Sequence, residues 1–183
     1  MNQNLPRQGS ARVRFLAQAA VIAALYAVLT YVAAAVNLAY GPVQFRFSEA
    51  LTILPVFTPA AIPGLTLGCF LANLGSPLGV VDWVFGTLAT LLAAVMSYGL
   101  RNLRLKGLPV LSALPPVLTN TVIVGLEVSC LSSIGAFAWQ NFSWAAYGAS
   151  ALSVGVGELV VCLVLGLPLF VLLQRAGLQK RLA

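Results

Sequence analysis

The sequence predicts an all-α integral membrane protein with six transmembrane helices and both termini in the cytoplasm. Three observations lead there. Only 8% of the 183 residues are charged and 60% are hydrophobic, with a mean hydropathy of +0.96. A soluble domain carries about 25% charged residues. The basic residues are also sorted: nine of the ten Lys/Arg fall in the clusters Arg7/Arg12/Arg14, Arg101/Arg104/Lys106 and Arg175/Lys180/Arg181. Basic clusters in short loops and tails mark the cytoplasmic face. If all three are cytoplasmic, each interval between them holds an even number of crossings. The net charge of +6 then reflects membrane orientation and not nucleic-acid binding.

The elements follow in order. Residues 1–12 form a cytoplasmic tail, 13–174 the six-helix domain, and 175–183 a second cytoplasmic tail. The first helix is expected at about 13–36. A signal peptide is the competing reading, but no charge interrupts the chain from Phe15 to Phe45. A signal sequence has an apolar core of only about 7–15 residues. Residues 47–79 must then supply two crossings, punctuated by Pro55, Pro59 and Pro63. That is short, because a full span needs about 20 residues. Two short or broken helices are expected, at about 48–58 and 61–75; such helices are tolerated where protein or an aqueous cavity covers their ends. The fourth helix fits 83–100. The fifth and sixth fit 111–132 and 147–174, around an outer loop with Gly135, Trp139, Gln140 and Asn141. The sequon Asn141-Phe142-Ser143 is a pattern common by chance.

All four acids, Glu49, Asp82, Glu127 and Glu158, lie between the basic clusters. On this topology Glu49 opens the second helix and Asp82 precedes the fourth, both on the outer side. Asn73 ends the third helix on that side. Glu127 lies in the outer half of the fifth helix, and Glu158 lies near mid-membrane in the sixth. An ionised acid facing lipid at depth costs on the order of 3 kcal/mol or more. Such groups therefore face the bundle interior. With Trp83 and Trp139 they form a candidate substrate site: Glu49, Asn73, Asp82, Trp83, Glu127, Trp139 and Glu158. Plainer readings stand beside it. Glu49 pairs with Arg46; Asp82 is an exposed helix N-cap; the tryptophans, Trp144 included, are interfacial belt residues.

On the first helix, Ala19, Ala23 and Ala27 recur every four residues, with Ala20 and Ala24 alongside. Small residues at that spacing admit a close helix. The helix is either in this bundle or in a partner. Pro63 to Gly68 is a similar close-packing pattern.

Several chemistries are excluded. No Walker A sequence is present, and the two lysines, Lys106 and Lys180, lie in no glycine-rich loop. Without histidine, Ser/His and Cys/His pairs are absent. Cys69, Cys130 and Cys162 have no metal or disulfide spacing and read as packing residues. No metal or cofactor is implied. A binding or transport protein is favoured; an acid-lined cation channel or a membrane enzyme using carboxylates alone is the other class.

Two stretches carry a resemblance. They are Val43-Gln44-Phe45-Arg46-Phe47-Ser48-Glu49-Ala50 continuing to Pro55 and Pro59–Leu65, and Asp82-Trp83-Val84-Phe85-Gly86-Thr87 continuing to Leu91. They resemble the QueT family, the proposed queuosine-precursor transporters, which are substrate-binding S components of energy-coupling factor (ECF) transporters. The resemblance implies a six-helix binding domain with an outward-facing site, a transmembrane T component and two cytoplasmic ATPases as partners. ATP hydrolysis would then reside in those partners, and Ala19, Ala23 and Ala27 would dock the T component. The implied substrate, 7-aminomethyl-7-deazaguanine or a close relative, has a cationic amine and a guanine-like edge that carboxylates suit. Thiamine or another vitamin-like cation would also fit carboxylates and tryptophans.

Overall fold

A computed structural model describes residues 8–39, 45–132 and 137–177. Helix α1 runs from Gln8 to Ala35. Its Ala, Leu, Gln and Arg content favours helix, and no proline interrupts it. It stops where Asn37 takes a left-handed conformation, φ 59°, and Leu38 N–H donates to Ala33 O at 2.8 Å. Asn accepts that conformation more readily than most residues, and the bond closes a helix end. The helix begins inside the expected 1–12 tail, because residues 8–12 contain nothing that breaks helix strongly.

The second segment is a 3₁₀ helix, Phe47–Val56, and not an α-helix. Runs beyond 3–4 residues are uncommon because 3₁₀ bonds are poorer. Here Ser48 to Val56 are all buried, so packing outweighs the local cost. The rise is about 2.0 Å per residue against 1.5 Å in an α-helix. A short segment thereby reaches deeper into the bundle.

Helix α2 spans Ala61–Asn73 and packs on α1. A Cβ at Gly64 would meet Ala19 O at 2.8 Å, and one at Gly68 would meet Ala23 O at 2.8 Å and Tyr26 Cβ at 2.7 Å. Only glycine permits that approach. The seam occupies Ala23, which is 2% exposed. The face expected to dock a partner is therefore used, at its centre, inside this chain.

Helix α3 spans Val80–Gly99, and α4 spans Leu114–Ser129 after a 3₁₀ turn at Val110–Ala113. Prolines 115 and 116 sit in the first turn of α4, where no amide donor is missed. Helix α5, Trp144–Val160, passes through a π-helical segment, Val161–Gly166, into α6, Leu167–Arg175. Pro168 lacks the N–H that an α-ladder would use in that region. Ser143 caps α5, accepting from Ala146 N–H at 3.1 Å. Asn141 donates to Cys130 O at 3.1 Å. The sequon residues thus organise the α4–α5 connection.

Among the described residues, four helical stretches are long and apolar enough to cross a membrane: Gly9–Ala35, Val80–Gly99, Val110–Ser129 and Trp144–Arg175. Phe47–Val56 and Ala61–Asn73 are shorter apolar helices. The six expected segments are all present, and the protein is a multi-pass membrane protein. The 3₁₀ helix lies centrally, packed by α1, α2, α3 and the π segment. Arg46 and Asp82 mark one end of the bundle. The loop after α3, with Arg101 and Arg104, marks the other, where the Arg104 guanidinium lies over Phe170 of α6 at 4.8 Å. Residues 1–7 and 178–183 of the expected tails lie outside the described residues.

Candidate functional site

Four acids and one base, Arg46, are buried in the described interior. They sort into three places.

The first is a closed network at the bundle end. Arg46 precedes the 3₁₀ helix, Asn73 ends α2 and Asp82 lies in the first turn of α3. Arg46 Nη2 pairs with Asp82 Oδ2 at 3.4 Å, Nη1 donates to Asn73 Oδ1 at 3.5 Å, and Nε donates to Ala39 O at 3.3 Å. Asn73 Nδ2 donates to Asp82 O at 2.9 Å and to Oδ1 at 3.2 Å. A Cβ at Gly86 would strike Asp82 Oδ1 at 2.4 Å and Asn73 Nδ2 at 2.6 Å, so glycine makes room for this bond. Two expectations are corrected here. Arg46 pairs with Asp82 and not with Glu49, because chain folding outweighs their three-residue separation. Asp82 is fully buried and is no exposed cap; Gly79, with φ 61°, turns the chain into α3 instead.

The second place is deeper. Tyr26 Oη of α1 donates to Glu49 Oε1. Thr52 Oγ1 donates to Glu49 O at 2.6 Å. Cys162 Sγ, in the π segment, lies 3.8 Å from Glu158 Oε2 and 3.9 Å from Glu49 O. Asn120 of α4 hydrogen-bonds the Glu158 carboxylate, and Glu49 and Glu158 are close enough to interact electrostatically. Glu49 Oε2 is buried with no hydrogen-bond partner.

The third is Glu127 of α4. It is 2% exposed, and neither carboxylate oxygen has a partner. Asp82 and Arg46 are near enough to act on it electrostatically. An unsatisfied buried polar group costs about 1–3 kcal/mol, more when charged, and such groups are few in folded proteins. Between this level and that of Asn120 lies an apolar layer of Ala89, Val124 and Val154.

Trp83 shares the edge of α3 with Thr87, four residues on, and Thr87 lines an outer groove with Phe70 and Leu67 of α2. Trp83 Nε1 is nevertheless buried without a partner. Trp139 is 60% exposed and stacks edge-on against Phe137, 5.0 Å between centroids. Trp144 is exposed as well. Sequence reasoning missed Tyr26, Thr52, Asn120 and Cys162. Asn120 was findable, because it lies seven residues before Glu127 on the same helix face. Tyr26 and Thr52 carry no such signal. A separate apolar groove of about 490 Å³ opens between α1, the 3₁₀ helix and α6, lined by Gln18, Leu51, Leu54 and Leu169 among others. It holds none of the acids. Val43 and Gln44 of the first resembling stretch lie outside the described residues.

Comparisons with known proteins agree on one family. The family described as QueT transporter matches residues 16–175. The queuosine precursor transporter QueT of Lactococcus lactis subsp. cremoris (strain MG1363) is 40% identical over 72 residues, 39% of this chain and 42% of that relative. The match thus spans less than half of the relative's length. No solved structure matches the chain.

Proposed function

The chain belongs to the QueT transporter family, and from that premise we propose that it is a substrate-binding S component of an ECF-type importer, taking up a queuosine precursor. A transporter family sets aside the enzyme and channel readings. The observation that carries the proposal is Glu127: a buried carboxylate with two free oxygens, in a bundle where the one buried base among the described residues, Arg46, is already paired. The precursor 7-aminomethyl-7-deazaguanine offers a cation and a planar row of N–H donors, which compensate buried carboxylates. In this reading Glu49, Glu127 and Glu158 contact substrate. Asn73 and Asp82 hold the entrance through Arg46. Trp83 and Trp139 border it.

The topology in this proposal has six crossings with both termini cytoplasmic. Arg14, Arg101 and Arg104 at one end and Arg46 at the other support it, through the positive-inside rule. Substrate then enters from the Arg46 end. A transmembrane T component and two cytoplasmic ATPases supply the energy, since the chain has no nucleotide-binding loop of the Walker type. The docking surface moves from Ala19, Ala23 and Ala27 to the exposed stripe Ala17, Ala20 and Ala24, which borders the α1–α6 groove. Ala24→Trp should keep the fold and ligand binding but lose copurification of the T component. Ala23→Trp, in the α1–α2 seam, should lose the fold. Normal assembly and uptake by Ala24→Trp protein would remove that surface.

Isothermal titration of the purified protein in detergent tests the substrate. Binding of 7-aminomethyl-7-deazaguanine, without binding of thiamine, riboflavin or biotin, is expected. The opposite pattern would end the queuosine assignment.

A further inference from the structure

The three buried carboxylates outside the Arg46–Asp82 pair differ in what they can accept. Glu127 has both oxygens free. A carboxylate in that state matches two parallel N–H donors, as a guanine-like edge presents, because the two lone-pair directions lie in one plane. Glu49 has one free oxygen, the other taking the Tyr26 hydroxyl. Cys162 Sγ lies 3.8 Å from Glu158 Oε2 and 3.9 Å from the Glu49 backbone carbonyl, and Asn120 holds the Glu158 carboxylate. This deeper place offers two neighbouring carboxylates from different elements, the 3₁₀ helix and α5. An ammonium group is a compact charge with three donors and is served by that arrangement, not by a single fork. Glu49 is 1% exposed, so its free oxygen is a buried acceptor, and the two carboxylates are close enough to interact electrostatically.

The spacing also suits one elongated ligand. Asn120 marks the level of Glu158, and Glu127 lies seven residues further along α4. At 1.5 Å per residue that is about 10 Å along the helix axis. Glu side chains reaching inward from both levels shorten this gap. The apolar layer of Ala89, Val124 and Val154 lies between, the chemistry that the face of a fused ring matches.

We infer that the substrate is bound with a fixed polarity: its ammonium arm inserted between Glu49 and Glu158, and its guanine-like edge held by Glu127 nearer the Arg46 end. This rests on the function proposed above and adds which acid meets which end. The nearby Arg46–Asp82 pair contributes its own consequence. Two charges already matched at the entrance leave the deeper carboxylates as the place where a ligand cation is worth most.

Paired ligands test it. 7-Aminomethyl-7-deazaguanine and 7-cyano-7-deazaguanine share the guanine edge, but only the first carries a cation. Titration calorimetry of the wild-type protein should give at least about tenfold tighter binding of the aminomethyl compound. Glu158→Gln and Glu49→Gln, two variants at one end, should each weaken the aminomethyl compound on the order of tenfold and change the cyano compound by less than about twofold. Glu127→Gln should weaken both compounds by similar factors, roughly ten- to a hundredfold. If the wild-type protein binds neither compound, the substrate assignment falls and the polarity with it. If it binds both, but Glu127→Gln alone selects against the aminomethyl compound, or all variants affect both equally, the polarity is overturned while the assignment stands.

Discussion

Asp82 and Glu127 are both buried acids of the same bundle, close enough to interact, yet their surroundings differ in kind. Asp82 is surrounded by donors: Arg46 pairs with one oxygen and Asn73 with the other, and Gly86 withholds a side chain so that they fit. Glu127 has none. A matched network stabilises the fold only as long as every member stays, whereas an unmatched carboxylate opposes folding and must be retained for another reason. The difference separates structural from ligand-directed acids where burial, equal for the two, cannot. Glu49 stands between them, with one oxygen bonded and one free.

The contrast gives stability effects of opposite sign. The largest is expected at Asp82. Asp82→Asn removes a charge but leaves Arg46 buried, and breaking a buried pair from one side costs about 3–5 kcal/mol. Thermal melting in detergent should show a large fall. An unchanged melting temperature would mean that the Arg46 network contributes nothing to folding, and the comparison would lose its first half. The smaller effect is expected at Glu127. Glu127→Leu replaces an unpartnered carboxylate by an apolar side chain of similar volume, and relief of about 1–3 kcal/mol is expected. A raised melting temperature is expected. A loss as large as that of Asp82→Asn would place Glu127 in a structural network.

Much of the fold was legible because the membrane simplifies the code. Sorting of the basic clusters called for two segments within residues 47–79, and the structure has two short apolar helices there, Phe47–Val56 and Ala61–Asn73. That the first of these is 3₁₀ was not legible, because its conformation follows from being enclosed by α1, α2, α3 and the π segment and not from propensity. The acids were legible as interior groups from the cost of exposing them to lipid. Their partners were not. Arg46 lies three residues from Glu49 in sequence and pairs with Asp82, thirty-six residues away, because the end of α2 and the start of α3 meet there. Alanine spacing likewise announced a close helix contact without naming the neighbour. The glycines that answer it, Gly64 and Gly68, had the same pattern in plain view. Trp139 was placed by side of the membrane alone, a coordinate that says nothing about depth in the bundle; it is exposed, on the connection between α4 and α5.

The most direct test of the account is titration of Glu127→Gln with 7-aminomethyl-7-deazaguanine, on protein whose melting temperature matches the wild type. The substitution keeps size and removes the charge, so a charge-assisted contact of about 1.5–3 kcal/mol is lost. At about 1.4 kcal/mol per tenfold, affinity should fall by roughly ten- to a hundredfold. Wild-type affinity in this variant would contradict the account, because the carboxylate left without a partner in the fold would then have none in the ligand either.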